Sequence, residues 1–176
     1  MQRPNGVRAW VVASVAAFMA IAPAAARDAI APLMYLAGTW SGEGWIDMGQ
    51  GRMGFRQSEQ ITPRLDGNIM TIEGTGRDPK DPSKIVFEAF AVLSATGKPG
   101  RYEMRSYTRE GQFGTFPAVL EAPGKLTWTI PVPGRQVRYR SEVVGDRWTE
   151  IGEASVDGGA TWGQFFEMTL TRVPKK

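Results

Sequence analysis

The chain of 176 residues has no cysteine and no histidine, and each absence closes off a class of chemistry. Without cysteine there are no disulfides, so stability rests on packing, and no lipid can be attached at a mature N-terminal cysteine. Without histidine or cysteine, neither Ser-His-Asp nor Cys-His catalysis is available. An imidazole-ligated or thiolate-ligated transition metal is excluded on the same ground, and no S-x-x-K segment supports a serine–lysine nucleophile. No apolar run reaches the ~20 residues that a membrane-spanning helix needs.

Charge of one sign is also scarce. Residues 1–26 read as a secretory signal peptide, with Arg3 and Arg8 ahead of an apolar run over residues 9–22 and a small-residue tract at Ala24, Ala25 and Ala26. Cleavage there leaves residues 27–176 as one domain in the periplasm or secreted medium, with no membrane anchor. The 21 basic residues less Arg3 and Arg8 leave 19 against 18 acidic ones, a net charge of +1. Such a balance offers no dense basic face, so nucleic acid is not an expected partner.

What the chain does contain is short alternating runs cut by turn residues. Asp66-Gly67, Gly145-Asp146 and Asp157-Gly158-Gly159 suit tight hairpins, whereas Pro123-Gly124 and Pro133-Gly134 suit ordinary β-turns. The segments between the breaks predict ten strands, at residues 39–48, 52–63, 67–76, 84–95, 100–109, 112–121, 124–132, 135–144, 146–156 and 161–173. Short connections force sequence neighbours to pair antiparallel. Closing the first strand on the tenth removes both edges, so the expected fold is all-β, a single up-and-down antiparallel barrel. Ahead of it, Asp28 can cap a short helical turn whose Ile30, Leu33, Met34 and Leu36 plug one end. The fourth strand, "KIVFEAFAVL", is apolar on both faces, which makes a second copy of the chain a candidate to cover its outer side.

The period-2 pattern assigns an inner face. Trp40, Gly42 and Gly44 share it on the first strand, where the glycines leave room beside a large indole. "GTWSGEG", Gly38 to Gly44, resembles the G-x-W-x-G-x-G pattern of the nitrobindin-like branch of the calycins, which include the lipocalin and fatty-acid-binding barrels. "DGGATWGQFFEMTLTR", Asp157 to Arg172, resembles the closing hairpin of bacterial lipocalin-like barrels of unknown function. The resemblance implies that Arg172 on the last strand lies across Trp40, a structural role. It also implies a small-molecule carrier. Nitrobindins hold haem through a histidine, and this chain has none, so neither haem nor any other cofactor or metal is expected.

"GQGRMG", Gly49 to Gly54, matches the dinucleotide fingerprint G-x-G-x-x-G, but it sits in a predicted hairpin without a helix to receive a pyrophosphate. Acid/base chemistry falls to carboxylates. On the second strand Phe55, Gln57 and Glu59 share the inner face, and two placements of Glu59 fit the alternation, the lumen or a wet rim. In the lumen, near Tyr139 or Ser106, Glu59 would anchor a ligand's polar end or act with Tyr139 as an acid/base of raised pKa. Glu150 and Glu153 lie on opposite strand faces and make a poor catalytic pair. The expected ligand is a small, largely apolar molecule held by Phe55, Glu59, Tyr102, Met104, Trp128, Tyr139, Phe166 and Met168. The alternatives are a barrel enzyme on a similar ligand and a structural barrel with a filled core.

Overall fold

The computed structural model describes residues 29–175. The expected signal peptide and the Asp28 cap lie outside the described residues. Ten strands follow one another: β1 (Gly38–Asp47), β2 (Arg52–Arg64), β3 (Ile69–Arg77), β4 (Ile85–Ala95), β5 (Arg101–Thr108), β6 (Phe113–Ala122), β7 (Lys125–Val132), β8 (Arg135–Val144), β9 (Arg147–Ser155) and β10 (Gly163–Arg172). Every strand end falls within two residues of its predicted place. All sequence neighbours pair antiparallel, and β1 pairs with both β2 and β10, which closes the barrel.

Closure requires β1 to approach β10 closely. A Cβ on Gly42 would lie 2.8 Å from the Cα of Leu170 and closer still to the carbonyl of Thr169, and one on Gly44 would meet Phe55 and Met168. Only glycine fits at these two places on the inner face, so the alternation of small and large residues in "GTWSGEG" is architectural.

One end is plugged. A 3-10 helix over Ala31–Leu36 drops Leu33 and Leu36 into the barrel mouth, with Ile30 as its N-cap and no side-chain capping bond. Ile30, Leu33 and Leu36 are buried, but Met34, expected beside them, is 44% exposed. Three residues per turn line up positions 30, 33 and 36 and leave position 34 off the line. Behind them Trp40 is fully buried, donates its indole N–H to the Leu36 carbonyl at 2.8 Å, and meets Trp148 edge-on at 5.6 Å. Arg172 crosses Trp40 at 4.0 Å. Its three nitrogens are all engaged, Nη1 with the Ala37 carbonyl at 2.6 Å, Nη2 with that of Tyr35 at 2.8 Å, and Nε with Asp146 Oδ1 at 3.0 Å.

Outside β4, the sheet register places Phe90, Tyr107 and Phe113 side by side on β4, β5 and β6. They are exposed to 39%, 51% and 79% respectively, and Tyr107 stacks on Phe113 at 6.2 Å. "GQGRMG" forms the β1–β2 hairpin, with Gly49 and Gly51 at positive φ.

Candidate functional site

Register fixes the level of each inward residue above the plug. On β2 the inner face rises from Ile61 through Glu59 and Gln57 to Phe55; on β8 it rises from Val143 through Ser141 to Tyr139; on β9 it rises from Trp148 to Glu150 and Gly152. Polar residues therefore occupy one layer just above the floor, with aromatic residues above them. Between the layers lies a cavity of about 280 Å³. Leu36 of the plug forms part of its floor, Leu126, Met104 and Met168 its apolar walls, and Trp128, Tyr139 and Phe87 its upper part.

Glu59 lies in this lumen and not at a rim, with 7% of its surface exposed. Its Oε1 accepts a hydrogen bond from Gln57 Nε2 at 2.6 Å, while Oε2 has no partner. Gly74 on β3 makes the space for it, since a Cβ there would stand 2.7 Å from Oε1. Burial raises the Glu59 pKa from 4.5 to about 7, against the opposing Gln57 hydrogen bond. The expected neighbours Tyr139 and Ser106 do not bond to it; Gln57, two residues earlier on the same strand face, is nearer.

The residue that sequence reasoning weighed only against Glu153 is Glu150, 5% exposed on β9, which β1 and β10 separate from β2. Burial first, and then the charge of Glu59, raise its pKa well above the ordinary value, while the Trp148 indole N–H opposes them weakly. That N–H satisfies no full hydrogen bond and counts, with Gln57 Oε1, Glu59 Oε2, Thr108 Oγ1 and Ser141 Oγ, among the buried polar atoms left without a partner on this cavity. The signal for Glu150 was present in the alternation of Trp148, Glu150 and Gly152. Its contrast with Glu153 holds: Glu153 is on the outer face, bonded to Arg138 and Arg140 at 2.9 Å each. Burial pushes the Glu153 pKa up, but hydrogen bonds from Arg140 and Arg138 outweigh it and leave the group below its usual range.

Of the eight expected pocket residues, Glu59, Met104, Trp128, Tyr139 and Met168 line the cavity. Phe55, Tyr102 and Phe166 are buried in the barrel wall instead. Phe55 packs on Phe87 at 4.9 Å and on Phe166 at 5.7 Å, so both phenyl rings are spent on core contacts. Tyr139 stacks flat on Trp128 at 5.2 Å, and burial, with Glu150 adding to it, pushes its hydroxyl pKa up to about 12. Tyr139 and Ile130 also border a second cavity of about 500 Å³ towards the open rim, next to Ile46, Val132 and Arg135. Together these surfaces can hold an apolar body between aromatic and methionine side chains and meet a polar end with carboxyl, amide, hydroxyl and indole groups.

No protein-family model and no curated relative matches the sequence. Among solved structures the chain is similar to Rv2717c from M. tuberculosis, at 15% identity and a TM-score of 0.69 over 83% of this chain and 98% of that one. It is also similar to the S-type phycobiliprotein lyase CPES from Guillardia theta, at 10% identity and a TM-score of 0.61 over 86% of this chain and 96% of that one. These likenesses show the fold, a closed antiparallel barrel of ten strands, and nothing beyond it.

Proposed function

We propose that the protein is an exported, non-catalytic carrier that binds one small, largely apolar molecule in its lumen. The observation that carries this reading is the set of buried, partnerless polar atoms on one otherwise apolar cavity. Buried polar groups are nearly always hydrogen-bonded, and each one left alone costs about 1–3 kcal/mol. Five such atoms belong to side chains that line one space, and a bound molecule, with small side-chain turns, would partner them. A barrel built only for rigidity would have filled that layer with apolar side chains, as it does at the floor.

The test is the intact mass of the protein isolated from its own cells, measured under native and then denaturing conditions. An excess mass that disappears on denaturation, and that is lost from Trp128→Ala and Tyr139→Ala, is expected. Equal masses, with no small apolar molecule raising the melting temperature, would contradict the reading.

The Glu59 and Glu150 pair favours a second reading, an enzyme that uses a protonated and an ionised carboxyl for acid/base chemistry on such a ligand. A protein of similar fold is described as a lyase, which supports keeping this reading beside the first. Glu59→Gln separates the two, because an enzyme would keep binding and lose turnover.

A further inference from the structure

The ionisable groups of the lumen are acidic only. Among the described residues no lysine or arginine lines the central cavity; its ionisable residues are Glu59, Glu150 and Tyr139. Arg135 lines the outer cavity beyond Tyr139 and acts on that hydroxyl. Arg172 is turned to the far side of Trp40 and is fully engaged with backbone carbonyls and Asp146. Glu59 Oε2 has no partner, and Glu150 lines the same cavity. A ligand carboxylate or phosphate placed there would meet two carboxyl groups and no counter-charge.

From this arrangement, and resting on the carrier reading above, we propose that the ligand is an organic amine. Its protonated nitrogen sits between Glu59 and Glu150, and its apolar body lies upward against Met104, Trp128 and Tyr139. An ammonium group supplies only donors, which is what Glu59 Oε2 and Gln57 Oε1 lack, and it replaces the missing counter-charge. The stacked Trp128–Tyr139 pair adds a π-face for a cationic or apolar group passing above the carboxyl layer. Binding draws a proton off the carboxyl pair into solvent, because the two groups hold protons near neutrality when nothing positive lies between them. Affinity therefore rises with pH through about 7 and falls only when the amine itself loses its proton, at about 10.

The experiment uses n-octylamine, n-octanol and n-octanoate, which share one tail and differ in the head, titrated calorimetrically into the mature protein. At about pH 8, octylamine is expected to bind about tenfold or more tighter than octanol, and octanoate weakest of the three. Lowering the pH to about 5 should weaken octylamine by a similar factor and leave octanol nearly unchanged. Heats measured in buffers of different ionisation enthalpy should show proton release with the amine alone. The double variant Glu59→Gln, Glu150→Gln is expected to bind octylamine no better than octanol while keeping its octanol affinity. If that variant does not fold, the single variant Glu150→Gln and the pH series on the unaltered chain decide the matter. Octanol or octanoate binding as tightly as octylamine would overturn the amine inference and leave the carrier reading standing. Binding of none of the three would remove both.

Discussion

The floor of the barrel and the layer just above it use similar side chains to opposite ends. At the floor, Trp40 finds a carbonyl for its indole N–H, and Arg172 finds three oxygens and a ring. One layer up, the second indole, Trp148, the amide of Gln57 and the carboxylate of Glu59 each keep an atom without a partner. Trp40 and Trp148 are both buried, so depth does not explain why one indole is partnered and the other is not, while Arg172 reaches partly to solvent. The plug keeps one open atom, the Tyr35 hydroxyl, against five on side chains around the cavity, and that clustering marks a place where something else is expected to sit.

The floor should be the more fragile of the two. Trp40→Ala removes a fully buried indole together with the surface that Arg172 covers, and should cost about 3–5 kcal/mol in urea denaturation. A loss below about 1 kcal/mol would mean that the plug does not hold the barrel closed.

The carboxyl layer should respond to pH in the opposite direction from an ion-paired surface. The folded pKa of Glu59 lies above its unfolded value, 4.5 raised to about 7, so protonation favours the folded state. Its contribution is fully present below about pH 4.5 and is lost as pH rises through about 7, an effect of roughly 3 kcal/mol. Glu59→Gln should therefore be more stable than the parent at about pH 8 and nearly equal to it at about pH 4. Denaturation curves across that range check the sign, and a parent that gains stability through the same window would break the contrast.

Gly74→Ala presses a methyl group on the Glu59 carboxylate. It should cost about 1–3 kcal/mol and reduce ligand binding, whereas the fold survives, because the far end of a flexible side chain can yield. The smallest effect belongs outside the barrel, where Glu153→Gln loosens two partly exposed arginines and should change stability by about 1 kcal/mol or less. The comparison sharpens if Glu153 matters at low pH and Glu150 at high pH, since their pKa values are displaced in opposite directions.

Most of the fold was legible because one rule, side-chain alternation between turn residues, holds in most of the strands, β4 being apolar on both faces. The place of Arg172 over Trp40 followed from strand phase and resemblance together. The site was less legible because phase tells which face a residue occupies and not its height or its partner. Glu59 was assigned the right face, and Tyr139 and Ser106 line the same cavity, but its hydrogen-bond partner is Gln57. Glu150 was weighed only against Glu153, although Trp148 two residues before it shares its phase. Phe55 and Phe166 were inward as expected, yet their rings meet each other and Phe87, and leave the cavity to Met104, Trp128 and Tyr139. The phase of Met34 was misjudged because the plug winds at three residues per turn.

The most direct measurement is a pH titration of the side-chain carboxyl carbons of Glu59 and Glu150 by NMR in the empty protein. Glu59 is expected to titrate at about 7 and Glu150 well above the ordinary glutamate value, with octylamine drawing both downward. Two ordinary titrations near about 4.3, unmoved by the amine, would mean a solvated lumen and would contradict a desolvated polar layer awaiting a ligand.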